Sequence, residues 1–241
     1  MRYKAVVAYD GTKYHGFQTQ KNAEGIQDVI EKAFRLMTQS TIRIHSAGRT
    51  DKGVHAIGQV FHFDTKIDLD EATWLRVNER LPLDIRIKSI KKVKPDFHAR
   101  HSAQSKVYRY VIAKSPSSVF NQNYEVYLGH LDIKRMEEAA KQFIGTHDFK
   151  GFCQHVKDKP TIKTIYSIHV KETQKHVTFT FFGNSFLKYM VRSMMGTLIQ
   201  IGQHKKPVSI IQTILETQDR HLAGKTAEAR GLYLVKINYT K

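Results

Sequence analysis

One short segment concentrates the side chains that could do chemistry: residues 47–56, AGRTDKGVHA. It places Arg49, Asp51, Lys52 and His55 close together between two glycine-containing bends. Glycine lets the backbone turn sharply, and loops are where side chains can face a ligand. Solvated charges also accumulate in loops, so any one of these residues taken alone is better explained as part of an exposed polar turn. The combination of one carboxylate with several cations is what suggests a site.

Three common kinds of site do not fit this segment. A closed metal site needs Cys or further His ligands near Asp51 and His55, and none is close in sequence. A phosphate-binding P-loop needs Lys after its second glycine, where this chain has Val54. A hydrolase triad needs an activated Ser or Cys, and neither GxSxG nor a Cys–His context is present. The remaining chemistry is that of a lone nucleophilic or acid/base carboxylate beside cationic groups.

The elements around this segment must position it. Residues 3–9 alternate and end at Asp10-Gly11, which predicts a strand that enters a turn. From Ile26 onward, apolar residues at helical spacing predict a helix with one buried stripe. Two further strands are predicted around 41–45 and 59–63, so that residues 47–56 form the loop between them.

Helices and strands also alternate along the rest of the chain. Helices are predicted at 70–80, 133–144, 186–201 and 208–215, and strands at 85–93, from Lys106, and at 162–170, 177–182 and 231–239. Strands separated by helices indicate an α+β or mixed α/β fold. A new round of elements begins after Gln104, so we predict two domains, 1–104 and 105–241.

The charge balance indicates a polyanionic partner. Lys and Arg number 39 against 22 Asp and Glu, which leaves a net charge of +17. Nucleic acid is favoured over an acidic membrane because the charges are spread along a folding chain with no basic amphipathic tail.

The compartment is predicted from what the sequence lacks. Cys153 is the only cysteine, which excludes intramolecular disulfides and multi-cysteine metal sites. The N-terminus has no apolar signal core, and no stretch approaches the ~20 apolar residues that span a bilayer. These observations predict a cytoplasmic protein that does not enter a membrane.

The segment GRTDKGVHA resembles the catalytic loop of the TruA-type tRNA pseudouridine synthases. Other stretches resemble the same family in the same order: YDGTKYHGFQTQ, DFHAR, KVYRY, HDFKGF, NSFLKYMVRSMMGTL and AEARGLYLVKINY. The resemblance covers nearly the whole chain. The chain departs from the family at Phe17, where Trp is frequent, and in the stretch from Cys153 to Lys163, which is shorter than usual.

The resemblance implies a role for five residues. Asp51 would be the catalytic carboxylate, and Arg49 would fill the space left by a flipped nucleotide. Tyr108 would pack against the target uracil, Arg192 would pair with the aspartate, and Leu232 would form an apolar wall of the pocket.

Ordinary structural roles compete with the assignments of Tyr108 and Leu232, whereas the surroundings of Arg192 favour its assignment. Tyr108 and Tyr110 lie on the same face of a strand, so at least one of them is expected in the core. Arg192 interrupts an apolar helix, and a buried guanidinium is costly unless a carboxylate or phosphate pairs with it. From the sequence alone, Leu232 is better explained by core packing.

The resemblance also implies a reaction. Uridine becomes pseudouridine when the N1–C1′ bond breaks and C1′ rejoins the base at C5. No redox step or group transfer occurs, so we expect no cofactor and no required metal. The carboxylate could add covalently to the base or sugar, or remove a sugar proton, and the sequence leaves these alternatives open. A stacked base must first be extruded from the RNA.

The implied substrate is the anticodon stem-loop of tRNA, at tRNA positions 38, 39 and 40. The implied assembly is a homodimer with its active cleft between two similar α/β domains, whose largely antiparallel sheets are flanked by helices. Candidate RNA contacts are Lys13, Lys21, Lys52 and Arg109. A non-catalytic basic RNA-binding protein is the nearest alternative. Another RNA-modifying enzyme is a second alternative, although neither a glycine-rich cofactor loop nor a carboxylate cluster supports it.

Overall fold

A computed structural model describes residues 1–154 and 160–239. Within them the strands are β1 (Arg2–Tyr9), β2 (Ile44–Ser46), β3 (His55–Asp64), β4 (Ile85–Val93), β5 (Ala103–Ala113), β6 (Val126–Tyr127), β7 (Gly145–Asp148), β8 (Ile162–Glu172), β9 (His176–Gly183) and β10 (Leu232–Tyr239). The helices are α1 (Ile26–Thr38), α2 (Glu71–Leu75), α3 (Ile133–Ala140), α4 (Met190–Gly202) and α5 (Ile210–Thr217). The predicted mixture of helices and sheet is confirmed.

The chain divides into two compact units. The first unit combines Met1–Gln104 with the C-terminal stretch from Tyr233, and the second comprises Ser105–Leu232. The prediction of domains 1–104 and 105–241 assigned the C-terminal stretch to the other half, and that division stays a prediction. Residues 155–159, inside the stretch that is short for the family, lie outside the described part of the chain.

Strands of the first unit are ordered β4-β1-β3-β10, with β2 on β3. All of these pairs are antiparallel except β3 with β10, which is parallel. Residues alternate in burial along β1, as its sequence predicts, and Tyr3 and Tyr9 are among those that face inward.

Aromatic packing closes the core of the first unit. Phe34 of α1 lies 4.9 Å from Phe63 and 5.9 Å from Trp74, measured between ring centroids, and Tyr3 stacks on Phe63 at 5.4 Å. These side chains are at most 2% exposed. Burial of large rings supplies much of the stabilisation of such a layer of helices on a sheet.

Two boundaries in the first unit differ from prediction. The helix expected over 70–80 is an α-helix only to Leu75 and continues as a 3₁₀ helix over Arg76–Arg80. Asn78 exchanges two hydrogen bonds with the backbone of Ile87, at 2.9 and 2.8 Å, and thereby ties this tighter turn to β4. The strand expected at 41–45 begins only at Ile44, where pairing with β3 starts.

Strands of the second unit are ordered β5-β9-β8-β7, all antiparallel, with β6 parallel to β5. Buried side chains cover almost every face of α4, and Gly202 of α4 lies against Met136 of α3. The helix predicted over 186–201 begins only at Met190. Tyr189 has φ 63°, a left-handed conformation that a right-handed helix cannot include. Across the described residues no helix is long and apolar enough to cross a membrane.

Candidate active site

The loop that carries Asp51 runs from Ala47 to Val54, between β2 and β3. The sequence prediction extended this loop to residue 56, but His55 and Ala56 already pair as part of β3. The loop is anchored at its start by the Ala47 N–H, which donates to the Val60 carbonyl at 2.8 Å. It closes with a turn in which the Val54 N–H donates to the Asp51 carbonyl at 3.1 Å.

Side chains of β1 and β3 hold the middle of the loop from inside. The Gln59 amide donates to the Gly48 carbonyl at 2.9 Å. The hydroxyls of Tyr9 and Thr50 are hydrogen-bonded at 2.8 Å. Burial raises the pKa of the Tyr9 hydroxyl, which therefore stays neutral and available as a donor.

The segment that follows β1 packs on the other side of the loop. The Phe17 N–H donates to the Thr50 carbonyl at 3.3 Å, and the Gly53 N–H donates to the Tyr14 carbonyl at 3.4 Å. Gly16 has φ +92°, and a Cβ there would lie 2.5 Å from the Thr50 oxygen. Only glycine fits this position, so the close approach of the two segments is built into the sequence.

Thr50 is buried between accessible neighbours in the loop. Arg49 and Lys52 are exposed, Asp51 is half-buried, and Thr50 between them is only 7% exposed. The Thr50 side chain therefore points into the core and fixes the loop there, while Arg49 and Asp51 on either side of it remain accessible. A carboxylate held in this way can meet a ligand without a large rearrangement of the backbone.

His55 supports the turn after β1. Its ring is 2% exposed and stacks on Tyr233 with centroids 4.8 Å apart. Its Nδ1 accepts a hydrogen bond from the Gly11 N–H at 3.1 Å and lies 3.1 Å from a carboxylate oxygen of Asp10. These contacts bury His55, the histidine of the loop motif, at the start of β3.

The two tyrosines of KVYRY lie on one face of β5, as predicted. Tyr110 is fully buried, and its hydroxyl donates to the Glu228 carbonyl at 3.0 Å. Burial raises the pKa of that hydroxyl. Tyr108 is 9% exposed and meets Phe186 edge-on at 5.0 Å. The expectation that at least one of the pair belongs to the core is confirmed by Tyr110.

Arg192 lies in the first turn of α4 and is half-buried. Its Nε donates to the Ala227 carbonyl at 2.7 Å, and its guanidinium lies 5.3 Å from the centre of the Tyr189 ring. A carbonyl and an aromatic face therefore fix the guanidinium, and the carboxylate or phosphate partner that the sequence predicts stays a prediction. Leu232, at the start of β10, is 4% exposed.

The candidate RNA contacts differ in exposure. Lys13, Lys21 and Lys52 are exposed, and Arg109 on β5 is half-buried. The Lys13 ammonium lies 3.9 Å from a carboxylate oxygen of Asp84. In the part of the chain that the structure describes, no group of three His, Cys, Asp or Glu side chains is arranged to hold a metal ion.

Tyr9 and Gln59 contact the loop, and the sequence prediction missed both. Tyr9 is the last inward residue of an alternating strand, and Gln59 is one polar residue in an apolar one. Gln59 alone carried a weak signal, because an amide at the start of a predicted apolar strand needs a hydrogen-bonding partner.

Comparison with known proteins identifies the class of enzyme. The family model described as tRNA pseudouridine synthase matches residues 5–102 and 139–240. The tRNA pseudouridine synthase A of Streptococcus pneumoniae strain Hungary19A-6 is 44% identical over 245 residues, which cover 99% of this chain and 98% of the relative. The protein of the same name from serotype 19F strain G54 matches equally.

The chain therefore belongs to the tRNA pseudouridine synthase family. It is accordingly an isomerase, and the resemblance inferred from its motifs is confirmed. A chain from the crystal structure of the archaeal box H/ACA sRNP Nop10-Cbf5 complex aligns with a TM-score of 0.36 at 11% identity, over 82% of this chain and 43% of that chain. That likeness is too weak to support a conclusion.

Proposed function

We propose that this isomerase converts uridine to pseudouridine in the anticodon stem-loop of tRNA, at tRNA positions 38, 39 and 40, with Asp51 as the catalytic carboxylate. The observation that carries the proposal is the bracing of the Asp51 loop. Buried hydrogen bonds hold Gly48 and Thr50 on its inner side, while Asp51 stays half-buried. Preorganised groups of this kind lower the barrier of a reaction because they need not reorganise during it.

The reaction requires one group that acts at the glycosidic bond. The N1–C1′ bond breaks, the C5–C1′ bond forms, the C5 proton leaves, and N1 gains a proton. Asp51 can act by covalent addition to the base or sugar, or as a base that removes a sugar proton. Either route needs the carboxylate within bonding distance of an extruded nucleotide.

The same proposal assigns roles to four further residues. Arg49 occupies the space left by the extruded nucleotide, Tyr108 packs against the uracil, Arg192 pairs with the catalytic carboxylate, and Leu232 lines the pocket. The exposure of Arg49 supports its contact with RNA, and the carbonyl and ring that hold Arg192 support a fixed guanidinium.

Tritium release from tRNA labelled at C5 of uridine tests the role of Asp51. We expect Asp51→Ala to lower the rate by at least about 10³-fold, since no other group replaces the carboxylate. The matched control is Glu137→Ala, which removes an exposed carboxylate of α3 and should leave the rate unchanged. Release by Asp51→Ala at the parental rate would show that the catalytic assignment is wrong.

The site of modification needs its own measurement. Pseudouridine mapping in tRNA, from cells that lack the gene and from the same cells complemented with it, should show loss and recovery at tRNA positions 38, 39 and 40. Modification restricted to another arm of the tRNA would contradict the proposed substrate while leaving the reaction intact.

The partners and location follow from the same proposal. We expect contacts with tRNA phosphates from Lys13, Lys21, Lys52 and Arg109, a homodimer in solution, and a cytoplasmic location. Sedimentation at twice the chain mass would support the dimer, and sedimentation at the chain mass would contradict it.

We also expect full activity in EDTA with no small molecule added. Loss of activity there would show that the reaction needs a metal ion or a small-molecule cofactor.

A further inference from the structure

Three buried polar side chains lie together behind the Asp51 loop. Tyr9 is 5% exposed, Thr50 is 7% exposed, and Gln59 is fully buried. The Tyr9 hydroxyl is hydrogen-bonded to the Thr50 hydroxyl at 2.8 Å, and the Gln59 amide donates to the Gly48 carbonyl at 2.9 Å. Buried polar groups are costly unless they are paired, and each of these three side chains has a hydrogen-bonding partner.

The network contacts the loop at Gly48 and Thr50, the two positions that flank Arg49, and Thr50 also immediately precedes Asp51. The Gln59 amide donates to the Gly48 carbonyl, immediately before Arg49. The Tyr9 hydroxyl holds Thr50, which lies between Arg49 and Asp51. The hydrogen bonds therefore act on the backbone from which both proposed site residues project.

An apolar core would not need this network. The residues that follow Gln59 on β3 include Val60 and Phe61, and apolar side chains of similar size would pack there without an amide to satisfy. The other polar atom of the amide, Gln59 Oε1, accepts a hydrogen bond from the Val60 N–H at 3.0 Å. The arrangement links β1, β3 and the loop in one hydrogen-bonded unit.

We propose that Tyr9 and Gln59 are positioning residues that hold the Asp51 carboxylate in its reactive place through Thr50 and Gly48. The inference rests on the proposed catalytic role of Asp51. Without the network, the backbone at Gly48 and Thr50 would no longer be held, although the two ends of the loop would stay in place. The Asp51 carboxylate would then occupy its reactive position for a smaller fraction of the time. A displacement of about 1 Å at a reacting group can cost about 10²-fold in rate.

The experiment separates positioning from binding and from folding. Tyr9→Phe removes one oxygen and keeps the ring that packs against Phe17 at 6.0 Å. We expect kcat to fall about 10-fold with KM for tRNA changed less than about twofold, because the lost contact orients the carboxylate and does not touch RNA. Thr50→Val should behave alike, and Thr50→Ser, which keeps the hydroxyl, should restore the parental kcat.

The double variant identifies the hydroxyl pair as the cause. Tyr9→Phe and Thr50→Val remove the same hydrogen bond, so together they should be about as slow as the slower single variant. Gln59→Met keeps the volume and loses the amide, and it should also lower kcat more than it raises KM. The matched control is Tyr3→Phe on the same strand, whose hydroxyl donates to Asp68 at 2.6 Å and should leave kcat unchanged.

Each outcome decides between the two proposals. Parental kcat in Tyr9→Phe and Thr50→Val, with Asp51→Ala inactive, would overturn the positioning role and leave the catalytic role standing. An active Asp51→Ala would overturn the catalytic role itself. A loss in Tyr9→Phe that follows the unfolded fraction measured at the assay temperature, or a fall in kcat in Tyr3→Phe as well, would show a general structural effect and also overturn the inference.

Discussion

At the scale of single residues, His62 shows how a neutral histidine can hold a segment of backbone. It is 2% exposed on β3, and its Nδ1 accepts a hydrogen bond from the Ala99 N–H at 3.2 Å. Its ring lies 4.6 Å from that of His98 and 5.1 Å from that of His45. Only the neutral form can accept this bond, so the DFHAR segment is attached to β3 by an unprotonated ring.

Acid should weaken that attachment. Burial first, then the positive charges of His98, Arg2 and His45, lower the pKa of His62 to about 4, against an opposing effect of Asp64. The unfolded chain takes up the proton near pH 6.5, so stability is full above that pH and is lost as pH falls towards 4. We expect His62 to contribute a fall of about 1–2 kcal/mol in the free energy of unfolding between pH 7 and pH 4.

Urea unfolding as a function of pH measures this effect. Because several carboxylates also titrate in this range, the comparison is between the parent and His62→Gln, whose side-chain oxygen can still accept from Ala99. The variant should lose less stability on acidification than the parent. Equal losses would show that His62 does not sense the acid.

At the scale of secondary-structure elements, residues with left-handed backbone set several helix boundaries. Gln39 at the end of α1 has φ 56°, and Gln218 at the end of α5 has φ 58°. Tyr189, with φ 63°, immediately precedes α4. Residues other than glycine are strained in the left-handed backbone region, typically by about 1–2 kcal/mol. Helical periodicity does not reveal these residues, which is why α4 is shorter at its start than its apolar pattern predicts.

Replacement of one of these residues tests the strain. Gln39 is exposed, and its N–H donates to the Arg35 carbonyl at 2.9 Å, so the backbone bond remains in any variant. We expect Gln39→Gly to raise the free energy of unfolding by about 0.5–1 kcal/mol, because glycine is unstrained there. Gln39→Ala is the control and should not stabilise. Thermal denaturation of the parent, Gln39→Gly and Gln39→Ala measures the difference in stability. A Gly variant no more stable than the Ala variant would contradict the expectation.

At the scale of the whole molecule, the excess of basic residues predicts how the protein associates with RNA. A net charge of +17 attracts phosphates and makes binding depend on salt. Each phosphate contact releases condensed cations from the RNA, so the affinity falls as salt rises. Family membership identifies the polyanion, which charge alone cannot, because lipids and nucleic acids attract lysine by the same Coulomb interaction.

Salt titration of tRNA binding tests one of the proposed contacts. We expect Lys52→Ala to weaken binding and to reduce the slope of log affinity against log salt by about one, as for the loss of one phosphate contact. Lys32→Ala, an exposed lysine of α1 outside the proposed set, is the control and should keep the parental slope. An unchanged slope in Lys52→Ala would remove that residue from the RNA interface.

The amino-acid sequence alone determined the loop GRTDKGVHA, the class of reaction and the main helices and strands. The class of reaction came from the resemblance of the motifs to a known family. The loop, the helices and the strands depend on residue type and local spacing: glycines that bend a backbone, alternation along β1 and β4, and an apolar stripe on α1. Such signals lie within short windows of the chain. They reveal which face of an element is buried but not what covers it.

Tertiary structure decided which distant residues support the loop. The parallel pairing of β10 with β3 brings the C-terminal stretch into the first unit, a placement that the order of elements did not predict. The bond between Tyr9 and Thr50 joins residues 41 positions apart. Both depend on strand order and register, which are set by packing of the complete sheet, and no local pattern encodes them.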